Sequence, residues 1–533
     1  MDICLVNPPT SRDGESLYFP MSLLALASFV EREGFSAEIV DYDFEVRTGC
    51  FPKKNFIEEA VKDLRKRFSA PIYGITTVTS NFALALLLAE EIKRQSPRTE
   101  VILGGPQASS VPKETLARFP MVDAVIVGEG EHTLEEYLHQ KKSGHRVDQI
   151  PGVLCRDNMH QPIPLKRKLE TSLDSLPPID FTKIPMKEYA VFERINVGYF
   201  LPFIEAGRGC PFDCTFCSTS VMWSRKFRVK SPERIYQELS MLNKKYGFQS
   251  FELLHDNFTT SREYLHNFCN RLIELNKEGV TWSCASRVDT LYDEDLELME
   301  RAGCDGVFFG VETGSARMQK IVRKDIDLSE YDSLLDGCRK RNFRVNVGFI
   351  MGFPEERDED FEETLHWVVR SKLKGAAHVH VNRLAALAGT ELIRRHGHEL
   401  TRIFNEEGVP IEEKRVMGMI QKHRDLFSSA YLIPHPIYDD QTMEELLRFS
   451  QVTTERFYHE LDWLKTRQGM KIMDVFHHWM NWKGRLASDG IETHFMRFVR
   501  EEILPLIARR NLEKKTGGSS PQNVLQAHPI RSD

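Results

Sequence analysis

The hydrophobic pattern of the first part of the chain alternates short apolar runs with longer amphipathic stretches. Five predicted strands are DICLVNP, SAEIVDYD, IYGITTV, EVILGGP and VDAVIVGEGE, and predicted helices cover 21–34, 55–68, 82–95 and 112–118. Strands that alternate with helices indicate a parallel sheet. The pattern therefore predicts an α/β domain over residues 1–144 with flavodoxin-like, doubly wound topology, in which ligands bind beyond the carboxyl ends of the strands.

A second alternating series follows residues 145–200, which are rich in proline and polar groups and are predicted to form an irregular surface linker. Its six predicted strands are YFLPFIEAG, SFELLHD, VTWSCASRV, DGVFFGVE, FRVNVGFIMG and AAHVHVN. Six strands separated by amphipathic helices predict a partial (β/α)6 TIM-type barrel over 201–385, with its site in the loops at the carboxyl ends. Residues 386–512 are predicted to be mainly helical, and 513–533 a disordered tail.

Composition is that of an average globular protein, with 41% hydrophobic and 28% charged residues and a formal net charge of −7. No basic excess points to nucleic acid or to an anionic membrane surface. The sequence has no run of 18 apolar residues and does not begin with a signal-peptide pattern. We therefore expect a cytoplasmic protein with neither nucleic acid nor membrane as a partner.

Three of the ten cysteines, Cys210, Cys214 and Cys217, fall within GCPFDCTFC on the loop after the first predicted barrel strand. The other seven are scattered, as reduced thiols in a cytosolic chain usually are. A structural zinc site needs four protein ligands. Three thiolates instead suit an iron–sulfur cluster with one iron left open. The alternatives are a chance cysteine-rich loop or an incomplete zinc knuckle.

The segment RGCPFDCTFC, including the aromatic Phe216 before the third cysteine, resembles the cluster motif of the radical S-adenosylmethionine (SAM) superfamily. The resemblance implies that the three cysteines hold a [4Fe–4S] cluster whose free iron is chelated by SAM. It also implies an external electron donor such as flavodoxin or ferredoxin, and a 5′-deoxyadenosyl radical that abstracts a hydrogen atom from the substrate.

The later barrel strands are similar to the SAM-contacting motifs of this superfamily. The implied contacts are the methionine amine in HDNFT, the carboxylate in CASRVD, the ribose in GVETGS and adenine in GFIMGFPEE. The residues concerned are Asp256, Asn257, Arg287, Glu312, Ile350 and Gly352. His255 stands where the family usually has an aspartate, and for a single Arg or Glu the alternative is a surface ion pair. No residue is assigned to catalysis.

Three N-terminal segments, PMSLLALASFVEREGFSAEIVDYD, VILGGPQAS and VIVGEGEHTL, resemble the cobalamin (B12)-binding domain that precedes the barrel in one branch of the superfamily. Small residues at strand ends would let a corrin lie against the backbone. The implied contacts are Thr76, Ser80, Gly104, Gly105, Gly128 and Gly130. The DxHxxG motif is absent, which implies cobalamin without a protein histidine below cobalt. The alternatives are a domain that has lost its corrin and, for GEGE, an ordinary turn.

Strand six, HVHVN, places His378, His380 and Asn382 on one face. If that face is the barrel interior, these residues border the substrate; otherwise they are hydrogen-bonded polar groups of the core. Three functions remain open. The first is a cobalamin-dependent radical SAM methyltransferase that acts on an unactivated carbon of a small-molecule or peptide substrate. The second is a radical SAM enzyme for cyclisation, oxidation or rearrangement, and the third is a non-enzymatic corrinoid- or metal-binding protein.

Overall fold

The computed structural model describes residues 1–10, 16–161, 167–401, 411–483 and 491–516. Its first sheet has six strands in the order β2-β1-β3-β4-β5-β6, in which β6 alone is antiparallel to its neighbour. The strands are β1 (Ile3–Asn7), β2 (Ala37–Asp41), β3 (Ile72–Thr76), β4 (Glu100–Gly104), β5 (Ala124–Ile126) and β6 (Val153–Cys155). The order 2-1-3-4-5 is that of flavodoxin-like folds, which confirms the predicted doubly wound domain.

Helices cover both faces of this sheet, and strand β1 is accordingly buried along most of its length, as in other parallel sheets. The helices are α1 (Met21–Arg32), α2 (Tyr42–Arg47), α3 (Phe56–Arg67), α4 (Phe82–Gln95), α5 (Pro106–Ser110), α6 (Pro112–Arg118) and α7 (Glu131–Lys142). Apolar residues recur along the inner face of each long helix, as at Phe56, Ala60 and Leu64 of α3.

The second sheet also has six strands, all parallel, in the order β14-β13-β12-β11-β10-β7. Its strands are β7 (Phe203–Glu205), β10 (Ser250–Leu254), β11 (Thr281–Ser286), β12 (Cys304–Glu312), β13 (Arg344–Met351) and β14 (His378–Arg383). In the sequence, a short hairpin of β8 (Gly207–Arg208) and β9 (Arg228–Val229) lies between β7 and β10. In the described residues β7 does not pair with β14, so the barrel is open, as the sequence predicts.

Helix α8 precedes the second sheet in the chain, and helices α9–α15 lie between its strands in sequence. Helices α16–α22 follow β14 and form the helical C-terminal region that the sequence predicts. The bounds are α8 (Met186–Asn196), α9 (Thr219–Trp223), α10 (Pro232–Tyr246), α11 (Arg262–Leu275), α12 (Asp293–Arg301), α13 (Ala316–Ile321), α14 (Tyr331–Lys340) and α15 (Asp358–Leu373). The later helices are α16 (Glu391–His396), α17 (Glu413–Lys422), α18 (Asp440–Arg456), α19 (Tyr458–Gln468), α20 (Ile472–Lys483), α21 (Ile491–Phe498) and α22 (Leu504–Thr516). None of the helices in the described ranges is long and apolar enough to cross a bilayer.

Two of the predicted boundaries differ from the structure. The stretch 145–200 is more than an irregular surface linker, because it contributes strand β6 and helix α8. Tyr189 of α8 is fully buried, and its hydroxyl donates a hydrogen bond to the carboxylate of Asp41 at the end of β2. The predicted tail from 513 begins too early, because α22 continues to Thr516; residues 517–533 lie outside the described residues.

Candidate functional site

The loop that carries the three cysteines is closed at its base by the β8–β9 hairpin. A Cβ atom on Gly209, whose φ is +87°, would lie 2.0 Å from the carbonyl oxygen of Lys226. A Cβ atom on Gly207 would lie 2.4 Å from the carbonyl oxygen of Arg228. Only glycine fits at such close backbone approaches. The two glycines therefore let residues 210–227 leave and rejoin the barrel at one point, at the carboxyl end of β7.

All three cysteines of this loop are free and half-buried. Burial raises the pKa of the Cys214 thiol to about 11, an effect that the positive charges of Lys324 and Arg287 partly offset. Burial also raises the pKa of Cys210. Across the described ranges, no group of three or more His, Cys, Asp or Glu side chains is gathered at metal-ligand spacing. The assignment of a cluster to these thiols therefore depends on their number and sequence spacing, and it stays a prediction.

The cysteine loop packs on the carboxyl ends of the barrel strands. The ring of Phe216 meets that of Phe353, which follows β13, edge-on with a centroid separation of 5.6 Å. The Thr215 amide donates a hydrogen bond of 3.0 Å to the carbonyl oxygen of Val322. These contacts place the thiols beside the loops in which the SAM contacts are predicted.

Asp256 and Asn257 follow β10 and differ in their surroundings. Asp256 is exposed, and its two carboxylate oxygens accept hydrogen bonds from the Gly209 amide (2.8 Å) and from the Thr219 hydroxyl (3.0 Å). Asn257 is buried, and its Oδ1 accepts a hydrogen bond of 3.1 Å from the Arg287 amide. Asp256 thus ties the cysteine loop to the barrel, and the two residues lie on the side of the barrel where a SAM amine is expected.

Arg287 lies beyond β11 and is almost fully buried. Its Nε and Nη2 donate hydrogen bonds of 2.9 and 2.7 Å to the carboxylate of Asp289, and Nη2 also donates to the Lys324 carbonyl oxygen at 2.7 Å. Its Nη1, like Nδ2 of Asn257, is buried without a partner in the described part of the chain. Two unpartnered buried donors fit an anionic, hydrogen-bond-accepting ligand such as the methionine part of SAM, because such donors are costly to leave unpaired.

The other predicted SAM contacts lie at the ends of the next two strands. Glu312 ends β12 with φ +68°, and its carboxylate accepts a 3.0 Å hydrogen bond from Nζ of Lys324. Such a backbone angle is uncommon outside glycine and often marks a functional position. Ile350 is half-buried on β13, whereas Gly352 has φ +96° and donates its amide to Glu356 Oε2 at 2.6 Å.

A cavity of about 440 Å³ opens between the carboxyl edge of the first sheet and the cysteine loop. Its floor is apolar, from residues such as Leu5, Ile75 and Ile102, and Gly104 and Gly128 line its rim. A Cβ atom on either glycine would meet no atom within 4 Å, so both strand ends present open backbone to the cavity. An apolar floor under an open glycine rim fits a large, flat, amide-bearing ligand such as cobalamin.

The other four predicted cobalamin contacts differ in whether they line this cavity. Thr76, Gly105 and Gly130 line the cavity, whereas Ser80 is exposed in the turn before α4 and is absent from its lining. A Cβ atom on Gly105 would lie 2.5 Å from the Thr77 carbonyl oxygen, and one on Gly130 would lie 2.9 Å from Leu26 Cδ2. Packing against the Thr77 backbone therefore already demands glycine at 105, whereas at 130 the contact is with the end of a leucine side chain, which can move.

Sequence reasoning missed a buried charge cluster that joins the two sheets. Arg208 of β8 donates hydrogen bonds to Glu129 (2.9 Å) and Glu131 (2.6 Å), the two glutamates of GEGE, and to Glu205 (2.7 Å). The acidic residues of GEGE and the arginine before GCPFDC were visible in the sequence. Only their position in space reveals that they pair.

The predicted common face of His378, His380 and Asn382 is exposed, while Val379 and Val381 between them are buried. The ring of Phe308 on β12 lies on the same face of the sheet, 6.5 Å from the ring of His380. Burial and the charge of His378 lower the pKa of His380. The three residues therefore belong to an open polar and aromatic wall rather than to the packed core.

Two family models match the chain. The model of the radical SAM superfamily matches residues 204–368, and the model of the B12-binding domain matches residues 13–138. The first range contains the cysteine loop and the barrel strands from the end of β7 to β13, and the second contains strands β2–β5 of the first sheet.

Comparisons with individual proteins agree with these matches. Over 371 residues the chain is 30% identical to an uncharacterised methyltransferase of Pyrococcus horikoshii. The match covers 68% of this chain and 77% of the relative. The fold of the present chain is similar to that of the radical SAM methyltransferase TsrM from Kitasatospora setae, solved with cobalamin and a [4Fe–4S] cluster. The TM-score is 0.63 at 16% identity, and the match covers 84% of this chain and 95% of that one. The fold is also similar to the cobalamin-dependent radical enzyme OxsB with aqua-cobalamin and SAM bound (TM-score 0.66, 17% identity, 97% of this chain and 80% of that one).

Proposed function

The chain belongs to the cobalamin-dependent radical SAM enzymes, the family that includes B12-dependent methyltransferases, and on this premise we propose that it methylates an unactivated carbon of a small-molecule substrate. Its cofactors are a [4Fe–4S] cluster, SAM and cobalamin. A relative 30% identical to the chain is named a methyltransferase, which favours methylation, whereas relatives named as magnesium-protoporphyrin IX monomethyl ester cyclases are 23–26% identical. Both names are those of enzymes, so the non-enzymatic alternative has the least support.

One observation carries the proposal. The cavity between the domains is lined on one side by Gly104 and Gly128 and on the other by Ser218 and Thr219, which directly follow Cys217. A corrin in this cavity and a cluster on the cysteine loop would therefore be neighbours. That proximity is what a reaction using both cofactors on one substrate requires.

When bound, the cluster and SAM supply a hydrogen-abstracting radical, and cobalamin supplies the methyl group. We propose that the thiolates of Cys210, Cys214 and Cys217 ligate the cluster and leave one iron open. Nη1 of Arg287 would bind the methionine carboxylate, with the guanidinium held in place by Asp289.

The remaining assignments complete the cofactor sites. Asp256 would hold the methionine amine, Glu312 the ribose, and Ile350 with Gly352 the adenine. Asn257 is also predicted to contact the amine, but its unpartnered group is the Nδ2 donor, which suits the methionine carboxylate instead. The cobalamin site would be lined by Thr76, Gly104, Gly105, Gly128 and Gly130. Ser80 is exposed, so its contact would require the cofactor to extend past the described cavity.

The exposed wall of Phe308, His380 and Asn382 is a candidate surface for binding the substrate. It is solvent-accessible and combines an aromatic ring with neutral hydrogen-bonding groups. We propose that it borders a small-molecule substrate whose reacting carbon extends toward the carboxyl ends of the strands. The electron is proposed to come from an external donor such as flavodoxin or ferredoxin.

The test is anaerobic incubation of the reconstituted protein with reductant, an extract of low-molecular-mass metabolites, and SAM labelled in its methyl group. Methylation predicts S-adenosylhomocysteine and 5′-deoxyadenosine together, with label in a new product. Cyclisation or rearrangement would give 5′-deoxyadenosine without S-adenosylhomocysteine. A protein without iron–sulfur absorption after reconstitution would contradict both enzymatic functions.

A further inference from the structure

One wall of the interdomain cavity comes from the barrel, through the short helix α9 that begins two residues after Cys217. Ser218, Thr219, Met222 and Trp223 line the cavity opposite the strand ends of the first sheet. Thr219 is also bonded to Asp256, as described above. The same short helix therefore faces the cavity and contacts a loop of the SAM site.

Trp223 is held in place by its neighbours. The guanidinium of Arg208 lies 5.8 Å from the centre of the indole, and that of Arg228 lies 5.7 Å from it, both within cation–π range. A Cβ atom on Gly209 would lie 2.9 Å from Cβ of Trp223, so the backbone of the loop closes against the residue. The indole is therefore a preorganised part of the cavity wall.

The two arginines are themselves fixed by acids from both domains. Arg208 binds Glu131 and Glu205, and Glu129 accepts from Arg208 and from Arg228 at 2.9 and 2.7 Å. The side chains of Arg208, Glu129 and Glu131 are between 6% and 8% exposed. Charge-assisted hydrogen bonds in such a buried place are strong and strict in geometry. The GEGE loop of the first domain thus positions a tryptophan of the second.

We propose that Trp223 is a cobalamin-contacting residue and that Arg208 is the residue that positions it, so that the barrel supplies one wall of the cobalamin site. The inference rests on the proposed function, because it takes cobalamin as the occupant of the cavity. An indole provides a large, rigid, apolar surface at little entropic cost, which suits the broad face and edge of a corrin. Glu129 and Glu131 are engaged by the arginines and act through them rather than on the ligand.

The test is the affinity of the cluster-reconstituted protein for hydroxocobalamin, measured by equilibrium dialysis and the absorbance of the bound corrinoid. We expect Trp223→Ala to weaken binding about tenfold, the size of effect an aromatic contact can have. Trp223→Phe should lose much less. Arg208→Met should weaken binding in the same direction, because the indole loses its support. Trp463→Ala, a change at an exposed tryptophan of α19, is the matched control and should bind as the native protein does.

The outcomes separate this inference from the proposed function. Native protein that does not bind hydroxocobalamin would contradict the proposed function itself. Native protein that binds, with Trp223→Ala of equal affinity, would overturn only the role of Trp223. If Trp223→Ala loses its fold by circular dichroism, Trp223→Phe and Trp223→Leu compare an aromatic with an aliphatic side chain. Equal affinities of those two variants would likewise overturn the inference.

Discussion

The guanidinium carbon of Arg287 lies 3.6 Å from the ring centre of Phe212, a residue between the first two cysteines of the cluster motif. This contact joins the loop after β11 to the cysteine loop and fixes one face of the guanidinium. Asp289 fixes two of its nitrogens from the side. The only nitrogen left without a protein partner in the described chain is Nη1, which we assign to the SAM carboxylate.

Replacement of Arg287 by Lys should therefore weaken SAM binding by about tenfold or more, because an ammonium group reproduces neither the fork geometry nor the stacking on Phe212. Equilibrium binding of SAM to the cluster-reconstituted variant measures the effect. Arg271→Lys, at a half-buried arginine of α11 that pairs with Glu233, is the control and should bind SAM normally. Native affinity in Arg287→Lys, with a complete cluster, would show that the carboxylate lies elsewhere.

Replacement of Cys210, Cys214 or Cys217 by Ala should abolish the cluster and all formation of 5′-deoxyadenosine, because three thiolates are the fewest that leave one iron open. Iron content and visible absorption after anaerobic reconstitution measure the cluster. Cys50→Ala, at an exposed cysteine outside the motif, should keep both. A triple-Ala variant that still cleaved SAM would remove the basis for the assignment.

Replacement of Gly104 by Val should block cobalamin while sparing the fold. The new side chain would enter the open rim of the cavity, because nothing lies within 4 Å of its Cβ position. We expect hydroxocobalamin affinity to fall by at least about tenfold, with an unchanged iron–sulfur spectrum. Gly418→Val, also at a position with open space, is the control.

Gly105 is unsuitable for the same experiment. Its φ is +92°, and its Cβ would lie 2.5 Å from the Thr77 carbonyl oxygen, so a side chain there strains the domain whether or not a ligand binds. If Gly104→Val bound hydroxocobalamin as tightly as the native protein, the rim of the first sheet would not be the corrin site.

Glu356 predicts a pH dependence of stability. Burial raises the pKa of its carboxyl from 4.5 to about 8, although amides of Gly352 and Phe353 donate to it. A raised carboxyl pKa favours the neutral form in the folded state, so its contribution is complete below pH 4.5 and is lost as the pH rises through about 8. The difference in unfolding free energy between native protein and Glu356→Gln should change by on the order of 1 kcal/mol or more across this range.

Denaturant titrations of native protein and Glu356→Gln at a series of pH values provide the measurement. The amide cannot ionise, so the variant should lack this part of the pH dependence while retaining an acceptor for the two amides. Parallel pH profiles of the two proteins would contradict a raised pKa at Glu356.

Strands such as β1, β3 and β5 could be predicted from the sequence because helices cover both faces of the first sheet, so each of these strands is an apolar run that stands out. Helix α8 was missed although Met186, Tyr189 and Ala190 repeat with helical period. The prolines that precede it suggested an irregular segment, and the buried partner of Tyr189, Asp41, lies far away in the sequence. Contacts of that kind decide burial but leave no local pattern.

The candidate site also has features that could be predicted from the sequence and features that could not. The positions of the cysteines and of the strand-end residues could be predicted, since motif spacing and strand register determine them. The roles of Arg208, Trp223 and Lys324 could not, because each depends on a partner from another element. Gly105 is the instructive case: its presence in the cavity lining was predicted, but the close approach of Thr77, which requires glycine there, appears only in three dimensions.

The central claim is that one reaction uses both cofactor sites, and the most direct measurement is the cobalamin dependence of the two products of SAM. Reconstituted native protein and Gly104→Val are incubated with SAM, reductant and metabolite extract, with and without hydroxocobalamin, and both nucleosides are quantified. The account predicts S-adenosylhomocysteine only from native protein with cobalamin, together with 5′-deoxyadenosine, while Gly104→Val forms 5′-deoxyadenosine alone. Full turnover of native protein without cobalamin, with no S-adenosylhomocysteine formed, would contradict it.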